Sequence, residues 1–214
     1  MAKQLKIDFV SDVSCPWCVI GLKSLETALE SLKGEVAADL HFQPFELNPQ
    51  MSADGQDIVE HIAQKYGSTP TDIERNRENI RARGAELGFE FNMQNRGRIY
   101  NTFDAHRLLH WTETAGKQEA LKNALFSAYF TEGRNPSDHA VLLDVAQKVG
   151  LDAKRAAEIL ESDEFAAEVR AREKFYADRG IQAVPSVIIN DQHLIQGGQP
   201  AEIFERALRQ LAAG

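Results

Sequence analysis

The stretch "SDVSCPWCVIGLKSL", Ser11 to Leu25, holds both cysteines of this 214-residue chain, Cys15 and Cys18, three positions apart. Before it, Leu5, Ile7 and Phe9 alternate with polar residues in "QLKIDFV", the two-residue period of a strand with an apolar face. After it, Leu22, Leu25, Leu29 and Leu32 recur at spacings of three and four, the stripe of an amphipathic helix. Gly34 ends that helix, and Leu40 and Phe42 alternate with His41 and Gln43 as far as Pro44, which predicts a second strand. Strand, helix and strand in so short a span predict a βαβ unit with a parallel pair, the cysteines lying at the end of its first strand.

Beyond Pro49 helical patterns dominate. Thr69 and Pro70 read as the cap and first residue of a helix with Asp72 in its first turn. Further helices are predicted from about Phe103 to Gly116, through Leu121, Ala124, Leu125, Ala128 and Tyr129, after a Ser137 cap, over Ala153 to Leu160, and over Glu164 to Arg179. The "FEFNM" stretch, Phe89 to Met93, fits neither period. Strand signals return only in "VPSVIINDQHLIQGG", where Val187 to Ile189 meet a two-residue Asn190-Asp191 turn followed by His193 to Ile195. Pro200 then opens a helix carrying Phe204, Leu208 and Leu211. The expectation is an α/β fold in which a βαβ head and a ββα tail complete one sheet, since so few strands could not otherwise bury their edges. Residues 1–48 and 181–214 form that domain, and residues 49–180 form a large, all-helical insertion.

A net charge of −8 disfavours nucleic acid and anionic membrane surfaces as partners. No run approaches the ~18 apolar residues of a membrane span. The opening "MAKQLKIDFV" carries Lys3, Lys6 and Asp8 and lacks a secretion-type apolar core, so the expected compartment is the cytoplasm. In a reducing compartment a CxxC pair points to redox chemistry or a metal rather than to a structural crosslink. Closing so short a loop also removes little chain entropy.

Cys15 falls where the strand hands over to the helix, with Pro16 near the first helical position, where its missing N–H costs nothing. The partial positive charge and free amides of a helix start favour a thiolate there, so Cys15 is the expected nucleophile. Cys18, about one turn further in and more enclosed, is the expected resolving thiol. Pro16 and Trp17 between them are levers on the reduction potential of the pair. A metal alternative pairs the two cysteines with His106 and His110, one turn apart on a predicted helix, but their separation far exceeds the ~12–15 residues of a finger-type site. No metal is therefore expected. Asp12 and Ser14 read as turn-fixing groups or participants in proton transfer, Asp104 as an acidic first-turn residue, and Gly197 to Pro200 as a bend. Pro185 after Val184 suits a turn at the start of a strand, and base rates of about 5–6% cis favour a trans bond before it.

With CPWC after a first strand and Val184-Pro185 before the return strand, the chain resembles the thioredoxin fold and, within it, DsbA-like proteins with a helical insertion. It is most similar to the cytoplasmic FrnE-type group in "DFVSDVSCPWCVIG", "FQPFELNP", "NTFDAHRLLHWTE", "HAVLLDVAQKVGLD" and "GIQAVPSVIIN". The resemblance implies a thiol–disulfide oxidoreductase or isomerase without a cofactor, acting on thiol- or disulfide-containing proteins or on small thiols, with glutathione as a candidate co-substrate. It also implies a cis Pro185 packed against the cysteines and a substrate-binding Val184, overriding the base rate. Trp17 stands where periplasmic DsbA proteins commonly carry histidine, so a strongly oxidising potential is not implied. Kappa-class glutathione transferases and 2-hydroxychromene-2-carboxylate isomerases share the architecture but use serine where Cys15 stands, which leaves a glutathione-dependent transferase or isomerase as the alternative.

Overall fold

The alternating segment forms β1 (Lys3–Ser11), the inner strand of a four-stranded sheet, in the computed structural model, which describes residues 2–214. β1 pairs in parallel with β2 (Val36–Pro44), from Lys3 opposite Val36 to Ser11 opposite Pro44. On its other side it pairs antiparallel with β5 (Ser186–Ile189), which in turn pairs with β6 (His193–Gln196), giving the order β2-β1-β5-β6. The head and tail of the chain therefore build one sheet, as the strand patterns predict. The short linking elements β3 (Gln56–Asp57) and β4 (Arg98–Ile99), two residues each, carry no strand signal and pair with one another in a separate ladder.

α1 (Pro16–Ser31) and α9 (Ala201–Ala213) cover one face, where Leu5, Ile7 and Phe9 meet Leu22, Leu25, Phe204 and Leu208. The opposite face of β1 is buried too: Val10 packs with Tyr176 and Ile181 at the end of α8 (Ala166–Asp178). Alternation marks only one of these faces as apolar; the second is closed by a helix that arrives from the insertion.

Between the two halves of the sheet run α2 (Ile58–Tyr66), α3 (Pro70–Glu86), α4 (Phe103–Glu113), α5 (Gln118–Phe126) with a π-helical extension (Ser127–Thr131), α6 (His139–Lys148) and α7 (Ala153–Leu160), followed by α8. The Thr69 cap of α3 is a reciprocal capping box with Asp72. Several local readings are corrected. Asp138, not Ser137, caps α6, because its carboxylate accepts from Ala140 N while Ser137 Oγ donates to Asn101 O. Ala128 and Tyr129 lie in the π-helical extension rather than in α5. The β5–β6 turn spans three residues, with Asn190 and Asp191 left-handed at φ of 51° and 60° and Ile189 paired with His193. In "FEFNM", Phe89 and Phe91 belong to no helix or strand and turn inward, their rings 4.8 Å apart and Phe91 5.3 Å from Phe130.

The sheet-side core takes in Ile80, Phe89, Phe91, Phe126, Tyr129 and Phe130 from the insertion. A second core of α4 to α7 takes in Val13, from the turn that leads into the cysteines. That turn thus sits where the two cores meet. No described helix is long and apolar enough to cross a membrane.

Candidate active site

Cys15 is the N-cap residue of α1 and Pro16 its first residue, with extended backbone at Cys15 (φ −93°, ψ 113°). The thiol does not cap the helix. Cys15 Sγ instead points across to Val184 O at 3.7 Å, and the Val184–Pro185 peptide bond is cis. Both cysteines are present as thiols, Cys15 4% exposed and Cys18 fully enclosed. Cys18 N donates to Cys15 O at 3.1 Å and Cys15 N to Asp12 O at 3.2 Å, so the strand-to-helix turn closes through two backbone bonds.

Two glycines that the sequence reading passes over, or reads only as a bend, permit this approach. A methyl group on Gly21 would come within 2.9 Å of Pro185 Cγ, so only a bare Cα lets the proline ring lie against α1. One on Gly198 would meet Trp17 O at 3.0 Å, so the "GGQP" bend also packs directly on the CPWC segment. Trp17 is half-buried there, with the Arg83 guanidinium over its ring at 5.7 Å and Arg83 donating to Gly198 O.

Below the turn lie ionisable side chains that the sequence reading missed or left open. Asp12 Oδ1 accepts from Ser14 N at 3.1 Å and Oδ2 from Leu47 N at 2.7 Å, so this carboxylate fixes the turn and ties it to the end of β2. His106 Nε2 stands 3.7 Å from Asp12 Oδ1, at ion-pair rather than hydrogen-bond distance. Burial opposes ionisation of Asp12, yet His106 and the two N–H donors outweigh it and hold the carboxyl below its ordinary range. His106 thus serves Asp12, while His110 packs against Phe165 with its ring tilted by 59°, and the described residues contain no cluster of three or more metal-ligating side chains. Asp104 lies in the first turn of α4 and pairs with Arg107 and His139. Arg96 donates to Ser14 O at 3.0 Å, its guanidinium 4.9 Å from the rings of both Tyr129 and Phe130. Through it the insertion grips the cysteine turn.

Cys18 and Lys122 complete the group. Burial, then the hydrogen bond and charge of Cys15, push the Cys18 thiol well above its ordinary range, while Lys122 and the Asp12 backbone N–H pull it back. Lys122 of α5 is fully buried, and burial brings its ammonium down to about 8 against the opposing pull of Cys18, Asp12 and Cys15. A sequence signal for it exists: Gln118, Leu121, Lys122 and Leu125 follow the three-and-four spacing of a single buried face.

An enclosed dithiol at a helix start, beside a cis proline, can exchange disulfides through a mixed-disulfide intermediate. Comparisons with known proteins agree with that chemistry. The DSBA-like thioredoxin domain matches residues 6–209. The chain is similar to the crystal structure of a probable DsbA oxidoreductase from Streptomyces coelicolor, with 32% identity, a TM-score of 0.91, and coverage of 98% of this chain and 90% of that one. It is 28% identical over 203 residues to the uncharacterised protein YwbO of Bacillus subtilis, covering 94% of each. It shares its fold with the cytosolic disulfide reductase DsbM of Pseudomonas aeruginosa in a structure with GSH, at 16% identity and a TM-score of 0.68, covering 98% of this chain and all of that one. With a thioredoxin-like sheet, a helical insertion and a matched domain spanning nearly its whole length, the chain belongs to the DSBA-like thioredoxin-domain family of oxidoreductases.

Proposed function

We propose that this protein is a cytoplasmic thiol–disulfide oxidoreductase, allied to the FrnE-type group, whose Cys15–Cys18 pair cycles between dithiol and disulfide without a further cofactor. The observation that carries the reading is the alignment of Cys15 at the start of α1 with its thiol 3.7 Å from Val184 O, next to cis Pro185. In the reducing direction the Cys15 thiolate attacks a substrate disulfide R–S–S–R′ and releases R′–S⁻. The Cys18 thiolate then attacks Cys15 Sγ, forming the intramolecular disulfide and releasing R–S⁻. Two electrons pass from the dithiol to the substrate, and the two protons end on the released thiols. In the oxidising direction the same steps run in reverse. Substrate backbone runs past Val184 and Pro185, and Pro16 and Trp17 set the potential of the pair. The substrates are protein disulfides or small disulfides, with glutathione as the small co-substrate. A thioredoxin-like domain of residues 1–48 with 181–214 and an inserted helical domain of residues 49–180 are part of this reading.

Insulin reduction and oxidation of a reduced, unfolded protein test this with wild type, Cys15→Ser and Cys18→Ser. Cys15→Ser abolishes both activities, and Cys18→Ser accumulates a mixed disulfide that mass spectrometry identifies. Wild-type rates in both variants overturn the redox assignment. Turnover of a small organic substrate with glutathione that survives Cys18→Ser would favour the transferase or isomerase alternative instead.

A further inference from the structure

Arg83 departs from the pattern of its own helix. The other three arginines of α3 each pair with an acid three residues earlier: Arg75 with Asp72, Arg77 with Glu74 and Arg81 with Glu78. Three residues before Arg83 stands Ile80, which is buried in the sheet-side core, and among the described residues Arg83 enters no ion pair. A cation in the last turn of a helix suits the dipole, but this guanidinium reaches across to other elements. It lies over the Trp17 ring at 5.7 Å and donates to Gly198 O at 3.4 Å. A line of contacts connects that place to the reacting sulfur. Gly198 packs directly on Trp17, Gly197 N donates to Pro185 O at 2.8 Å, and Cys15 Sγ faces Val184 O at 3.7 Å. Trp17, Gly198 and Arg83 are all partly exposed, whereas Arg96, the cation on Ser14 O, is buried.

We propose that Arg83 recognises a carboxylate carried beside the reacting disulfide of the substrate. The inference rests on the redox reading and deepens it by naming a class of substrate. A guanidinium has five N–H donors in a planar fork that matches a carboxylate, and the single long bond to Gly198 O leaves most of them free. The Trp17 ring beneath it restrains the group before substrate arrives, which lowers the ordering cost of binding. The adjoining bend brings no acid to compete: residues 197–200 are Gly-Gly-Gln-Pro, and the Gln199 amide donates to Gln196 O. The placement also runs against the molecule as a whole. A net charge of −8 repels anions at long range, so an unpaired cation beside the dithiol selects for them locally. The carboxylate takes no part in electron transfer. Cys15 thiolate attacks the substrate sulfur, the S–S bond breaks, and the electron pair leaves on the other sulfur, as in the redox reading. The group comes either from an acidic residue next to the cysteine of a protein substrate or from a small thiol such as glutathione, and the chemistry of recognition is the same.

Disulfide-linked dimers of a blocked tripeptide, cysteine followed by two glutamates, two glutamines or two lysines, separate charge from size. Each is mixed with the reduced enzyme, and the reaction is followed by acid quenching, alkylation and mass spectrometry. In Arg83→Met the glutamate-to-glutamine rate ratio is expected to fall about fivefold and the lysine-to-glutamine ratio to rise, with Arg83→Lys between the two. A packing role on Trp17 would slow all three substrates alike; ratios equal to those of wild type overturn the proposal. If the variants fail to fold, ionic strength decides the matter on the wild-type enzyme. Raising salt from about 0.02 M to 0.5 M should lower the glutamate-to-glutamine ratio. A rise, which is the response of the net charge of −8, or no change overturns the inference. Oxidised glutathione measured against its carboxyl-amidated form locates the source of the carboxylate. A loss of preference in Arg83→Met confined to the peptides assigns it to protein substrates, a loss shared by glutathione assigns it to the small thiol as well, and a loss in neither overturns the proposal. Failure of the wild-type enzyme to reduce any of these disulfides would instead defeat the underlying redox reading.

Discussion

Asp12 shows how one side chain holds the site from below. Its two oxygens accept N–H bonds from Ser14 and Leu47, and His106 Nε2 stands 3.7 Å from Oδ1. Because its folded pKa is lowered, the stabilisation is complete above the unfolded carboxylate range and disappears as pH falls through the lower folded value. Asp12→Asn keeps one acceptor and loses the charge. Urea unfolding at pH 7 should place the variant about 1–3 kcal/mol below wild type, and the gap should narrow from about pH 4 downward. A gap of constant size across that range would show that the carboxylate charge plays no part. The sequence offered Asp12 either as a turn-fixing group or as a proton carrier. The geometry assigns the turn. Lys122 was legible as a polar residue on an apolar helical face, but nothing local revealed that the side chain is fully buried.

At the scale of elements, the docking of α1 on the β5 entry and of α4 on β2 governs the site. Gly21 lets α1 approach Pro185, and an alanine there gains helix propensity but forces a contact of 2.9 Å with a rigid ring. Gly21→Ala should therefore destabilise by about 1–3 kcal/mol in denaturant unfolding and slow alkylation of Cys15, whereas an added methyl in open space would stabilise. His41 of β2 joins its own strand to α4, with Nδ1 3.0 Å from Glu113 Oε1 and Nε2 3.1 Å from Asp39 Oδ2. Burial lowers its pKa, but the hydrogen bonds and charges of Asp39 and Glu113 prevail and the net direction is upward. A raised histidine contributes fully below the unfolded value of about 6.5 and loses that contribution as pH rises through the folded value. His41→Gln should cost up to about 1 kcal/mol at pH 5.5 and nothing at pH 9, by thermal or urea unfolding. The strands and long helices were legible because each repeats its own period over several residues. β3, β4 and the three-residue hairpin turn were not, because two-residue pairings and left-handed turn residues leave too little pattern to read.

Across the whole molecule the two cores are not assigned to the two segments of chain. Phe126, Tyr129 and Phe130 of the insertion lie in the core of the sheet, and Val13 of the cysteine turn lies in the core of the helices. Unfolding is therefore expected to be a single transition. The two tryptophans report on the two parts, Trp17 on α1 and Trp111 on α4. Single-tryptophan variants Trp17→Phe and Trp111→Phe should give fluorescence midpoints in urea that coincide with the circular-dichroism midpoint of the same variant. Separate midpoints would establish an insertion that folds independently. The sequence by itself determined the four sheet strands and most of the helices, the continuous sheet built from the two ends, and the position of Cys15 and Cys18 at a helix start, because periodicity and helix-start chemistry are local. Only the tertiary structure decided what surrounds the pair: Val184 O facing Cys15, Gly21 under Pro185 and His106 against Asp12. Those contacts join residues up to 169 positions apart, and a local pattern carries no information about which distant face packs against it.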